Sequence, residues 1–208
     1  MPLDETTPTS PQSEQSRLRE VSDARTMRAL AHPVRLALIE TLNLAGPLTA
    51  TQAGERIGES PTTCSFHLRQ LAKYGFVEEA GGGSGRSRPW RLSTRGMRFS
   101  TEHGDPETNL AASTLAGMLR DRQLDRFRSW VESRGRFPQA WRDVAEQSEF
   151  VIWMTTDELK ELNEELIELL VPRFRDRQTD PAARPDGALP VELLILSYPL
   201  TTSPGGQS

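Results

Sequence analysis

A three-residue spacer between two short apolar patterns is the feature that most constrains the fold of this chain. The first pattern, with Ala53 and Ile57 on one face, ends at Gly58. The second begins at Pro61, directly after Ser60, a residue type that often caps the start of a helix. The pattern therefore predicts two helices joined by a tight glycine-containing turn, a helix-turn-helix.

Two further helices are predicted before this turn. The dipeptide His32-Pro33 interrupts an apolar face near Leu30, because the residue before a proline avoids helical geometry. Pro33 can open a new helix, which Gly46-Pro47 stops. Thr49 and Gln52 have the spacing of a capping box at the start of the third helix.

The second helix of the turn is followed by a predicted β-hairpin. The helix is predicted to bury Cys64, Leu68 and Leu71 and to end at Tyr74-Gly75. The strands are predicted at 76–78 and 90–92, and the glycine-rich loop at 81–85 lies between them. A hairpin in this position is a wing, and its tip carries Arg86 and Arg88.

The charge distribution singles out the same part of the chain. The net charge is −4. Residues 17–100 nevertheless hold 13 Lys and Arg against 7 Asp and Glu, whereas residues 101–208 hold 12 against 19. A basic block inside an acidic protein indicates that this block meets a polyanion.

These segments resemble the winged-helix repressors of the ArsR family. The resemblance is carried by LAHPVRLALI (30–39), by SFHLRQL and GFV around the second helix of the turn, and by RPWRLSTRGM (88–97) in the wing. It covers residues 24–100 and implies DNA binding. Metal-sensing members carry a cysteine motif near the position of GERIGES (54–60), and this chain has no cysteine there. Thiolate metal sensing is therefore not expected.

The candidate DNA contacts follow from the solvent face of the predicted recognition helix, residues 61–74, and from the wing, residues 77–93. Polar or small side chains there can reach base edges or phosphates. The helix candidates are Thr62, Thr63, Ser65, Phe66 and Arg69, and the resemblance adds His67, which matches the histidine of the family's helix. The wing candidates are Arg86 and Arg88, which would neutralise phosphates.

Several candidates have an ordinary structural alternative. Phe66 could touch a thymine methyl or pack on a neighbouring helix, and the sequence does not decide between them. Cys64 and His67 lie three residues apart, yet a core cysteine and the family's histidine explain them better than a metal pair or a nucleophile with its base. A cluster at 103–107 is interpreted as a solvated loop. No catalytic residue, metal site or cofactor is expected.

The second half of the chain predicts a dimerisation region. One long helix is expected over 109–133, and in the ArsR family the helix after the wing pairs with its copy. A strand is predicted at 149–155, a helix capped by Thr155 and Glu158 and ended or kinked by Pro172, and a second strand at 191–200. The two strands and the helix could form a small sheet on the long helix.

The predicted organisation is a disordered tail (1–16), a winged helix-turn-helix domain (17–104) and a dimerisation and effector region (105–208), mainly α with small β. An apolar pocket for an unidentified small-molecule effector is a further expectation. Its candidate lining is Trp130, Trp141, Phe150, Trp153 and Tyr198.

The expected function is that of a homodimeric transcriptional repressor bound to a palindromic operator in double-stranded DNA. The alternative is a winged-helix module that docks proteins without specific DNA binding. An enzyme is not expected, because the sequence offers no nucleophile–base–orienter set and no metal-spaced ligands. The N-terminus has no basic start followed by an apolar stretch, so a cytoplasmic location without membrane contact is expected.

Overall fold

A computed structural model of the chain describes residues 19–81, 88–94, 96–179 and 181–200. The predicted N-terminal tail and Arg86 lie outside the described residues. The helices are α1 (Ala24–Leu30), α2 (Pro33–Ala45), α3 (Ala50–Ile57), α4 (Pro61–Lys73), α5 (Pro106–Ser133), α6 (Gln139–Val144) and α7 (Thr156–Thr179). The strands are β1 (Arg19–Glu20), β2 (Val77–Glu79), β3 (Trp90–Leu92) and β4 (Met97–Arg98). A mainly α fold with a small β component is confirmed.

The helix starts follow the predicted capping chemistry. The backbone N–H of Gln52 donates to Thr49 Oγ1 and the Gln52 side chain accepts from the Thr49 N–H, which completes the capping box of α3. Thr155 and Glu158 make the equivalent exchange before α7. His32 caps α2 through its ring, which accepts from the N–H of Val34 at 3.2 Å. Local sequence therefore sets where these helices begin.

The hydrophobic core lies in the first half of the chain. Among the described residues, every fully buried hydrophobic side chain lies between Val21 and Leu115. The core residues of α1, α2 and α4 pack together, and Ala111, Ala112 and Leu115 of α5 complete the core. The core therefore continues across the boundary between residues 104 and 105 that the sequence predicts.

The strands form two small pairs beside the helices. β2 and β3 are antiparallel, with Val77 opposite Leu92 and Glu79 opposite Trp90. Leu48 extends this ladder by exchanging two backbone hydrogen bonds with Trp90, at 3.0 and 2.7 Å. β1 pairs in parallel with β4. The predicted wing strands are thus confirmed at 77–79 and 90–92.

The predicted C-terminal sheet is not formed. Residues 149–155 and 191–200 carry no strand, because neither segment finds a partner strand within the described chain and a strand requires such pairing. Pro172 does not end α7, which continues to Thr179. The long helix α5 is confirmed, and it begins at Pro106, capped by Asp105.

The aromatic side chains predicted to line an effector pocket do not enclose one. Trp153 is 89% exposed, and Phe150 and Tyr198 are also exposed. The prediction fails because Phe150, Trp153 and Tyr198 lie outside the helices and strands with their rings largely in solvent, while Trp130 of α5 and Trp141 of α6 are half-buried. Within the described ranges, no helix is both long enough and apolar enough to span a membrane.

The C-terminal segment is held to the first half by a charged cluster. Glu40 of α2 accepts from Arg122 and Arg126 of α5, with N–O distances of 2.5 and 2.6 Å. Arg126 also binds Glu192, at 2.5 Å. Burial acts to raise the pKa of Glu40, but the hydrogen bonds and charges of the two arginines outweigh it and lower that pKa. One arginine therefore links α2, through α5, to the extended segment that contains Glu192.

Candidate nucleic-acid interface

The recognition helix α4 starts at a well-defined cap. The Ser60 hydroxyl accepts from the N–H of Thr63 at 3.0 Å, and Pro61 occupies the first helical position. The hydroxyl groups of Ser60 and Thr63 lie 2.8 Å apart and hydrogen-bond to each other. The first turn of α4, which carries Thr62 and Thr63, is therefore held in a fixed conformation.

One face of α4 is fully buried and anchors the helix. Cys64, Leu68 and Leu71 are all completely inaccessible to solvent. Burial raises the pKa of the Cys64 thiol, and the charge of Glu59 adds to the effect. Because the thiolate is the reactive form, this cysteine acts as a small core side chain.

The opposite face of α4 is open to solvent. Thr62 and Arg69 are exposed, and Thr63 and Ser65 are half-buried. The Arg69 guanidinium donates to Ser65 Oγ at 3.0 Å, which places the charged group over the preceding turn. The structure brings the predicted polar side chains of α4 together on the accessible side of the helix.

Phe66 lies on this open face and is 51% exposed. Its ring meets the ring of His67 edge-on, with centroids 5.2 Å apart. One edge is therefore supported by packing while the rest is accessible. The contact is with the next residue of the same helix, so contact with a thymine methyl and packing on a neighbouring helix both stay predictions.

His67 is not on the open face, and its prediction as a DNA contact is corrected. The side chain is only 8% exposed, because position 67 falls next to the buried Leu68 and Leu71 on the helix. Its ring packs on that of His32, with centroids 4.4 Å apart. Burial lowers the pKa of His67, and the charges of His32 and Arg35 lower it further.

The turn between α3 and α4 depends on Gly54. A Cβ atom at this position would lie 2.5 Å from the backbone oxygen of Glu59, so no other residue fits without a shift of the turn. The N–H of Glu59 donates to the Gly54 oxygen at 3.0 Å. Gly58 supplies the left-handed conformation, with φ of +75°. These two glycines set how closely α4 approaches α3.

The described wing is less basic than the sequence suggests. Arg88 pairs with Glu79 and Arg91 pairs with Glu78, each at 2.7 Å. Antiparallel pairing of β2 and β3 places Glu78 opposite Arg91, so two arginines are matched by two glutamates. Arg88 is therefore ion-paired within the wing, and its role as a phosphate contact stays a prediction.

Sequence reasoning missed Lys73 as part of the open face. Helical geometry places Thr62, Phe66, Arg69 and Lys73 on one side of α4, because they are separated by four, three and four residues. Lys73 is exposed, and its ammonium lies 5.9 Å from the centroid of the Tyr74 ring. The spacing that identified the buried face could have revealed this fourth position.

The tight turn, the capped helix α4 and the hairpin that follows define a winged helix-turn-helix. In agreement with this class, residues 30–80 match the family described as a helix-turn-helix domain. That match spans α2 to β2 and leaves the second half of the chain unassigned. Among curated proteins, none matches the chain.

Three solved structures are similar to parts of the chain. Reduced HlyU from Vibrio cholerae N16961 is 18% identical over 46% of this chain and 87% of that chain, with a TM-score of 0.29. NMB1585, a MarR family regulator from Neisseria meningitidis, is 20% identical over 66% and 79%, with a TM-score of 0.32. The homodimeric winged helix-turn-helix DNA-binding domain of Mb0332 from Mycobacterium bovis, a possible ArsR-family transcriptional regulator, is 22% identical over 58% and 95%, with a TM-score of 0.32. Because these identities and TM-scores are low, the three structures do not show to which family of winged helix-turn-helix proteins the chain belongs.

Proposed function

We propose that this protein is a DNA-binding transcription regulator whose helix α4 enters the major groove. The observation that carries the proposal is the division of α4 into two faces. Cys64, Leu68 and Leu71 fix the helix in the core, while the face with Thr62, Phe66 and Arg69 makes no contribution to that core. A rigid helix with an open polar face is what groove recognition requires.

The side chains of α4 have different roles in this proposal. Thr62, Thr63 and Ser65 lie in the first turns, where short polar groups reach base edges. Phe66 offers an accessible ring edge to a thymine methyl. Arg69, held beside Ser65, is placed further along the helix and contacts phosphate.

The wing contributes phosphate contacts through Arg86 and Arg88. The ion pair of Arg88 with Glu79 does not prevent this, because both side chains are about half exposed and such a pair is worth only about 0–1 kcal/mol. A phosphate can therefore replace the carboxylate as the partner of Arg88, although Glu79 reduces the net gain.

A homodimeric repressor that binds a palindromic operator is the specific form of this proposal. The support is the resemblance to the ArsR family and the apolar surface that α5 leaves accessible, at Leu110, Phe127 and Val131. A twofold dimer presents two copies of α4 to half-sites about one helical turn apart. No effector is proposed, because Phe150, Trp153 and Tyr198, three of the five aromatic residues expected around its pocket, are exposed.

Salt dependence and a matched set of variants test DNA binding. Replacing Arg69, Arg86 and Arg88 together by Ala is expected to reduce the slope of log affinity against log salt by about 2–3, because each phosphate contact contributes about one unit. The control replaces Arg128, Arg134 and Arg136, three exposed arginines of the second half, and is expected to leave the slope unchanged. Equal slopes for the two triple variants would contradict the proposal.

A protein-docking module is the second candidate, and the two glutamates that neutralise Arg88 and Arg91 favour it. Such a module predicts weak DNA binding that neither triple variant changes. The same titrations therefore separate the two candidates.

A further inference from the structure

Helix α7 has an apolar stripe that the described chain covers only in part, since its five side chains are half-buried. The stripe consists of Leu159, Leu162, Leu166, Leu170 and Phe174, which repeat at spacings of three and four. None of the described side chains of α7 is fully buried. A 24-residue helix in water derives most of its stability from packing such a stripe, so α7 requires a partner.

The extended segments add further apolar surface next to this stripe. The hydroxyl of Ser197 donates to Asn163 of α7 at 3.4 Å, which places the 191–200 segment against the helix. Most of its apolar side chains, among them Ile195 and Leu196, remain more than half exposed. An apolar surface of this extent marks an interaction site in a soluble protein.

The charges of α7 identify the partner. Residues 157–168 hold six carboxylates and one lysine, whereas residues 169–179 hold three arginines and one aspartate. A helix with an acidic first half and a basic second half is complementary to itself only when the second copy runs antiparallel. A parallel copy would bring like charges together along the whole length.

The register follows from the stripe. A twofold axis at Leu166 places Leu162 opposite the partner's Leu170 and Phe174 opposite the partner's Glu158. The guanidinium carbons of Arg173 and Arg177 lie 5.6 and 5.5 Å from the centroid of the Phe174 ring. The partner's carboxylate at position 158 would therefore lie between two arginines.

We propose that α7 pairs antiparallel with α7 of a second copy of this chain, about a twofold axis at Leu166. This inference goes beyond the proposed function, because it concerns a different helix and holds whether or not α4 binds DNA. The interface is separate from the one proposed for α5.

Crosslinking of the full-length protein tests the geometry. Ile167→Cys places a thiol beside the proposed axis at the edge of the stripe, and a short bis-maleimide is expected to give a covalent dimer. Thr156→Cys is the control, since antiparallel pairing separates its two copies by about 30 Å along the helices. The natural Cys64 is buried, so the unmodified protein gives the background. Crosslinking at position 156, or none at position 167, would overturn the proposal.

Charge reversal tests the complementarity. Arg173→Glu with Arg177→Glu makes both halves of α7 acidic, and Glu158→Arg with Glu165→Arg reduces the net charge of the acidic first half from −5 to −1. Each double variant in the Ile167→Cys background is expected to self-associate about tenfold more weakly. An equimolar mixture of the two variants is expected to recover the crosslink, now between unlike chains. The charge pairing would be contradicted if the mixture associates as weakly as each variant alone while circular dichroism shows an unchanged helix content.

Discussion

The imidazole rings of His32 and His67 lie with their centroids 4.4 Å apart beneath the recognition helix. His32 caps α2 through Nδ1, which must be unprotonated to accept the N–H of Val34. His67 is buried, and its Nδ1 has no hydrogen-bond partner. The two rings therefore connect the start of α2 to the underside of α4 in a way that favours their neutral forms.

Stability is expected to fall as the pH is lowered from 8 to 5.5. Burial is the first cause that lowers the pKa of both histidines, and the positive charge of Arg35 adds to it, while Glu59 opposes it. Because the folded pKa is depressed below the ordinary value of 6.5, the unfolded chain binds protons first. The stabilisation is complete above that value and is lost as the pH falls below it. Urea denaturation at several pH values measures the change.

Two variants isolate the histidine contribution. His67→Leu removes one titrating group while keeping an apolar side chain, and His32→Asn retains a capping side chain without the titration. Each is expected to flatten the dependence of unfolding free energy on pH between 8 and 5.5. The lowered carboxyl pKa values of Asp23 and Glu40 act at more acidic pH and do not interfere. If the unfolding free energy of both variants depends on pH as steeply as that of the natural protein, His32 and His67 are not the origin of the pH dependence.

Gly54→Ala is expected to destabilise the fold by about 1–3 kcal/mol, as an overpacked core substitution does. The physical reason is the 2.5 Å contact that a Cβ would make with the Glu59 oxygen. Gly117→Ala in the middle of α5 is the matched control, since a Cβ there meets nothing within 4 Å. That substitution is expected to stabilise the protein by about 0.5–1 kcal/mol. Thermal or urea unfolding measures the free energy of unfolding of both variants. Stabilisation by Gly54→Ala as well as by Gly117→Ala would show that the turn tolerates a side chain.

Glu40→Ala is expected to lower the unfolding free energy by about 1–2 kcal/mol, because it leaves Arg122 and Arg126 without their shared carboxylate. Glu107→Ala serves for comparison. It removes an exposed ion pair with Arg28, and its effect is expected to stay below about 1 kcal/mol. The measurement is urea unfolding at neutral pH. A smaller loss for Glu40→Ala than for Glu107→Ala would show that the cluster does not hold α2 and α5 together.

Thr63→Ala combined with Ser65→Ala is expected to reduce sequence preference while overall DNA affinity changes little. Ser65 lies under Arg69, and Thr63 hydrogen-bonds to the cap residue Ser60, so the variant changes polar groups of the first turns only. Binding to a selected site and to a scrambled site of equal length measures the ratio. An unchanged ratio would remove these two positions from the proposed interface.

The first half of the fold could be predicted because its signals are local. Caps, glycines and buried positions such as Thr49, Gly58 and Leu68 each act within a few residues. His67 was misplaced because the resemblance suggested a role, whereas its position beside Leu68 determines its burial. The pairing of Arg88 with Glu79 depends on the register of β2 and β3, and the amino-acid composition does not determine that register.

The second half was predicted less well for a different reason. The apolar-rich segments 150–154 and 191–200 are typical of strands, but strands form only where a neighbouring strand provides hydrogen bonds. No described segment of the same chain provides them. A pattern of this kind shows that a segment tends to form a strand, but it does not show whether a neighbouring strand is present to pair with it.

Selection of bound fragments from genomic DNA by the purified protein is the most direct test of major-groove recognition by α4. If α4 reads the major groove within a twofold dimer, the recovered fragments are expected to share an inverted repeat with half-sites about one helical turn apart. The variant with Thr63 and Ser65 replaced by Ala is expected to lose that enrichment. Recovery of fragments without any shared inverted repeat would contradict recognition of DNA by α4 within a twofold dimer.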